Sequence, residues 1–151
     1  MTSTTRTPQL AAGVGLVITL AVTALPIFAP QLLADHLRAT YPGYSTTQIG
    51  DAVALWQTIL TVLGAFAAVA WGWTLLALRA GKRWVPWSAT ALLTVAVIVA
   101  VTLLTVQDTS GAVGLAPALG WAWAAPCLAG VAVTVTTWRS RRSGRPSVPA
   151  V

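Results

Sequence analysis

Four stretches of this chain carry no Asp, Glu, Lys, Arg or His: Leu10 to about Ala34, about Ala52 to Leu78, Pro86 to Val106, and about Val113 to Trp138. Each is an apolar run of ~20 residues or more, enough to cross the ~30 Å hydrocarbon core of a bilayer as a helix. Lipid offers a crossing backbone no hydrogen-bond partners, so each stretch must satisfy its own N–H and C=O groups by coiling. Composition excludes a soluble alternative: 56% of the 151 residues are hydrophobic and 8% are charged, whereas a soluble domain carries about 25% charged residues. The expected fold is all-α, a polytopic membrane protein built as a four-transmembrane-helix bundle.

The charges then sort by side. Arg6 precedes the first span; Arg79, Lys82 and Arg83 join the second and third; Arg139, Arg141, Arg142 and Arg145 follow the fourth. No acid lies among these eight cations. The opposite side holds Asp35, His36, Arg38, Asp51 and Asp108. Basic residues beside spans stay cytoplasmic, so both termini are expected inside, in the cytoplasmic membrane. This reads as a cytoplasmic tail over residues 1–9, a transmembrane domain over 10–138 with an outer hinge over 35–51, and a basic tail over 139–151. The tail is rich in Arg, Ser, Pro and Gly, a composition that favours disorder and contact with anionic headgroups. Basic clusters beside spans are an orientation signal rather than a nucleic-acid footprint. The first span exceeds the ~7–15 apolar residues of a signal peptide, so an uncleaved anchor is expected. Trp84, Trp87 and Trp138 are placed at the inner interface, with Trp71 and Trp73 somewhat deeper. Trp56, Trp121 and Trp123 fall toward the outer one, the headgroup depth that amphipathic rings prefer.

The hinge DHLRATYPGYSTTQIGDAV concentrates most of the remaining chemistry. Pro42-Gly43 predicts a turn, and Ser45-Thr46-Thr47-Gln48 predicts a capping box that starts a helix near Thr46. Pro30 either lets the first span run on to about Thr40 or breaks it into a short interfacial helix. Asp35, His36, Arg38 and Asp51 are the candidate outer-face functional residues. One His with no Cys or Glu beside it falls short of the three or four ligands zinc requires, so no metal is expected. A His-centred pH response is physically allowed, as is an enzyme acting on lipid through Asp35, His36 or Asp51; neither is favoured over a solvated hinge. On the other side, Gly81 suits a helix C-cap and Pro86 the first turn of the next helix.

LRATYPGYSTTQIGDAV, followed by LRAGKRWVPWSATALL, resembles an uncharacterised family of small four-span actinobacterial integral membrane proteins. The matching positions are Leu37-Arg38-Ala39, Pro42, Ser45, Gln48, Ala52-Val53, Arg79, Gly81, Lys82 and Trp84, and the likeness covers spans one to three better than span four. The resemblance implies the four-span topology and brings no activity with it.

Helices in lipid pack closely where residues are small. Gly64, Ala68 and Gly72 in span two, and Ala116, Gly120 and Ala124 in span four, form the candidate helix-packing seams, with Ala11 and Gly15 in span one. The seams serve the bundle itself, a second copy, or a larger membrane partner. Pro26 and Pro126 should free carbonyls near Val22 and Ala122. With no ionisable group in a span, proton relays and ion-coupled transport lack their usual parts, the embedded first-span glutamate of small multidrug exporters among them. No haem-ligating histidine lies at membrane depth, and hydrolase and phosphate-loop motifs are absent. The lone Cys127 forms no intrachain disulfide. The expected function is a non-enzymatic structural, accessory or self-associating membrane component without catalytic residues, cofactor or metal; the alternative is a transporter or channel for an apolar or lipid-like molecule.

Overall fold

The structure is a computed structural model that describes residues 3–107, 111 and 113–143. Among the described residues there are five helices: α1 (Ser3–Phe28), α2 (Pro30–Thr40), α3 (Thr46–Arg79), α4 (Val85–Thr105) and α5 (Pro117–Ser143). Four of them, all but α2, are long and apolar enough to cross a membrane. Among the described residues an isolated antiparallel bridge, Gln107 to Val113, is the one element of β type.

The first apolar stretch breaks at Pro30. α1 stops at Phe28, and Ala29 takes φ −129°, ψ 62° before α2 restarts with Pro30 in its first turn. Proline has no N–H to give to the carbonyl four residues back, here that of Pro26. Gln57 of α3 replaces the missing donor: its Nε2 donates to Pro26 O at 2.7 Å. The break and the α1–α3 contact are therefore one feature. α2 buries Leu33 and Leu37 and leaves Asp35 and Arg38 outside.

The capping box is formed. Gln48 N–H donates to Ser45 Oγ at 3.3 Å, and Ser45 N–H to Gln48 Oε1 at 2.8 Å. From there α3 runs 34 residues, about 50 Å at 1.5 Å per residue, so it outreaches the ~30 Å apolar core. It ends in a turn where Gly81, at φ +60°, occupies the left-handed region. Lys82 N–H there reaches back to Ala77 O at 3.3 Å, satisfying a carbonyl of the last helical turn.

Two expectations need correcting. The fourth apolar stretch is not helical from Val113: residues 113–116 form a link in which Leu115 and Ala116 are buried, and α5 begins at Pro117. Proline pre-set for a first helical position fixes that start. The basic tail is not wholly irregular either, because α5 continues through Arg139, Arg141 and Arg142 to Ser143; residues 144–151 lie outside the described residues.

α1 is the central helix and packs along both α3 and α5; α4 rests on α5 and touches α3 sparingly. Small residues set these approaches. A Cβ on Gly64 would meet the Thr23 side chain of α1, and one on Gly15 would meet the ring of Trp71. Trp71 Nε1 donates to Thr19 Oγ1 at 3.0 Å, while Thr19 Oγ1 donates to Gly15 O at 2.8 Å. On the other seam, a Cβ at Gly120 would lie 2.7 Å from Leu104 Cδ2 of α4, and one at Gly130 would lie 3.0 Å from Leu93 Cδ1. The core is thickest toward the hinge, where Val22, Leu33, Leu60, Leu103, Leu115, Leu119 and Trp123 belong to one buried cluster. Toward the basic end it thins to Ala12, Ala89 and Val133.

Trp123 thus belongs to the core and not to an interfacial belt. At the basic end Trp73 stacks on Trp84 at 6.1 Å, Trp87 meets Trp138 edge-on at 5.0 Å, and the Arg141 guanidinium lies 5.6 Å from the Trp138 ring centre.

Most threonines of the spans return their hydroxyls to their own helix, as Thr74 does to Ala70 O at 2.8 Å and Thr137 to Val133 O at 2.8 Å. Thr134 Oγ1 is buried without a partner. A buried polar atom left unpaired costs about 1–3 kcal/mol, so Thr134→Val should raise stability by about 1 kcal/mol. The matched Thr137→Val removes a satisfied hydroxyl and should give no gain. Midpoints of SDS-induced unfolding by circular dichroism check both; equal shifts in the two variants would contradict the expectation.

Candidate functional site

The hinge residues do not converge on one another. Asp35 Oδ1 accepts from Arg38 Nη1 at 2.9 Å, one turn along α2, with both side chains well exposed. Exposed pairs of this kind contribute about 0–1 kcal/mol. His36, next to Asp35 in sequence, faces the bundle instead. Its Nε2 donates to the Val113 carbonyl at 3.0 Å, so the ring pins α2 to the link that precedes α5. It is a half-buried latch, not a solvated histidine. Asp51 is exposed on α3, and Asp108 lies outside the described residues. Among the described residues no three His, Cys, Asp or Glu side chains group as metal ligands would. Tyr41 and Tyr44 stack at 4.8 Å across the Pro42-Gly43 turn.

The proposed seam residues separate into two kinds. Gly64 and Gly120 are buried against α1 and α4 respectively, and Ala116 is buried in the link ahead of α5. Ala68 and Ala124 are half-buried. Gly72 has nothing within 4 Å of where its Cβ would be, so it packs against no other helix of this chain.

What sequence reasoning missed is a cleft. α3 and α4 leave the tight turn at Gly81 and diverge, and the gap between them holds a cavity of about 440 Å³ floored by α5. Leu63, Phe66, Ala67 and Ala70 line it from α3; Leu92, Ala96 and Ala100 from α4; Trp123, Cys127 and Gly130 from α5. Its span along α3, Leu63 to Thr74, is about 16 Å of helix. The volume falls in the ~300–1,000 Å³ range of small-molecule sites. Alanine and glycine at facing positions keep it open, since they withdraw side-chain volume from all three walls. Of the polar residues at its edge, Thr19 and Thr74 have turned their hydroxyls to backbone carbonyls, and Trp71 has given its N–H to Thr19. Trp123 Nε1 on the α5 side is buried without a partner, and apart from the Cys127 thiol the cleft presents mainly hydrocarbon. The facing alanines of spans two and three were the one available sequence signal, and it is weak.

At one end of the cleft stands the turn with Arg79, Lys82 and Arg83, all exposed. Among the described residues the one salt bridge is Asp35 with Arg38, at the far end of the molecule. Among the described residues no carboxylate pairs with the cations of the turn.

Comparison of the chain with protein-family models, with curated proteins and with solved structures finds no match.

Proposed function

We propose that this chain is a non-enzymatic integral protein of the cytoplasmic membrane, both termini inside, that serves as a structural, accessory or self-associating component. One observation carries this reading: the polar side chains that reach from one helix to another are spent on architecture. Gln57 repairs the carbonyl freed by Pro30, Trp71 and Trp138 donate to Thr19 and Thr90, and His36 ties α2 to the link before α5. Side chains so engaged hold helices in register and are poorly placed to move protons or attack a substrate. Extraction at native expression into lipid nanodiscs, followed by mass measurement, tests it. A particle heavier than one chain supports the reading; a monomer without a partner contradicts it.

A second reading, carriage of an apolar or lipid-like molecule, is favoured by the α3–α4 cleft. Transfer of fluorescent lipids between the leaflets of proteoliposomes tests it, and transfer no faster than in protein-free vesicles would remove it.

A further inference from the structure

We propose that the α3–α4 cleft is a binding site for one anionic phospholipid of the surrounding bilayer, with an acyl chain in the cleft and the phosphate on Arg79, Lys82 and Arg83. The site goes beyond the accessory role and stands whether that role or carriage is correct.

Three observations select this occupant. First, the cleft is open to the outside of the bundle. Its rim residues Phe66 and Val95 are 72% and 58% exposed, so a chain enters laterally from the bilayer without any helix moving aside. Second, the walls match a hydrocarbon tail in chemistry and length. The lining is apolar, its hydroxyls are already bonded to the backbone, and its length of about 16 Å along α3 suits an extended chain lying parallel to the helices. Third, the charge sits where a headgroup would be. The cleft reaches down to Thr74 on α3 and Ala89 on α4, and Arg79 follows Thr74 by about 7–8 Å of helical rise. That gap is bridged by the glycerol segment of a phospholipid. Gly81, at φ +60°, closes a short turn that carries the exposed Arg79, Lys82 and Arg83 within five residues of chain. Trp73 stacked on Trp84 marks headgroup depth beside them, as interfacial Trp residues do. Cations at this depth attract anionic lipid, and among the described residues no Asp or Glu lies at this end to compete.

A neutral apolar ligand would use the cleft and ignore the cations. A general basic surface would use the cations and ignore the cleft. One phospholipid uses both, and the test separates these cases. The purified full chain, delipidated in detergent, is titrated with dioleoylphosphatidylglycerol or dioleoylphosphatidylcholine. Bound lipid is counted by native mass spectrometry, and protection of Cys127 from N-ethylmaleimide reports occupancy of the cleft. The proposal expects one tightly held phosphatidylglycerol, preferred over phosphatidylcholine by about tenfold, with Cys127 protected.

Lys82→Gln with Arg83→Gln should abolish the preference and leave weak, headgroup-blind binding. These positions are exposed, and Arg6, Arg79, Arg139, Arg141 and Arg142 remain to hold the orientation. Ala70→Leu with Ala96→Leu fills the cleft and should abolish retention and protection while the helical circular dichroism and melting curve are unchanged. Ala96→Leu alone, at half-effect, serves if the double variant does not fold. Equal affinity for the two lipids would overturn the proposal, as would a preference that survives cleft filling, or Cys127 reactivity indifferent to lipid. Each of these lipid readouts is independent of particle mass, so the accessory role can fail while the site stands, and the reverse.

Discussion

Gly64→Leu is expected to force α1 away from α3 and destabilise the bundle strongly, whereas Gly72→Leu on the same helix is expected to be nearly silent. The Gly64 backbone lies against Thr23, and any side chain built there runs into it. Overpacking a close seam costs about 1–3 kcal/mol and sometimes more. The upper part of that range is expected here, because the crowding atoms belong to a β-branched side chain bonded to Thr19 O at 2.7 Å and stiff about χ1. Gly72 has open space beside it, and leucine there should change stability by no more than about 0.5 kcal/mol. Thermal unfolding in mild detergent, followed by a fluorogenic maleimide at Cys127, reads both variants. Similar melting temperatures for the two would refute the α1–α3 seam.

Gln57→Leu should give the second large loss. It removes the donor to the Pro26 carbonyl and leaves a part-buried acceptor beside a proline that has nothing to offer it. The unmade bond costs about 1–3 kcal/mol, with membrane interhelical bonds averaging ~0.6 kcal/mol, so a loss of about 1–2 kcal/mol is expected. The mechanism makes a sharper demand. Pro30→Ala restores a backbone N–H four residues beyond Pro26, and in the Gln57→Leu background it should recover part of the loss. A double-mutant cycle by SDS titration measures the coupling. Additive effects would mean that Gln57 and Pro30 do not serve the same carbonyl.

Much of the architecture was legible because its causes are local. Uncharged runs give the long apolar helices; Ser45 with Gln48 gives the start of α3; Gly81 ends it; Pro30 marks where the first stretch either breaks or runs on, and the structure selects the break. These depend on a residue and its near neighbours. The start of α5 was not legible, since hydropathy scores the buried link over 113–116 like the span that follows it. The role of His36 rests on a carbonyl 77 residues away, which no window contains. The packing seams show how spacing misleads. At 3.6 residues per turn, positions eight apart are rotated by about 80°, so Gly64 and Gly72 cannot both face α1, although every fourth residue between them is small. The cleft is least legible of all: it follows from how far α3 and α4 diverge, which α5 and α1 decide.

The separation of basic and acidic ends across four spans is tested most directly by thiol labelling from one side of the membrane. In a Cys127→Ala background, single cysteines are introduced by Ser45→Cys at the hinge, Ala80→Cys at the basic turn and Ser140→Cys near the end of α5. They are treated in intact cells with a maleimide that does not cross membranes. Labelling of Ser45→Cys in intact cells, and of Ala80→Cys and Ser140→Cys after permeabilisation alone, is the predicted result. Labelling of Ser140→Cys in intact cells, or of the hinge and basic-turn cysteines from the same side, would contradict it.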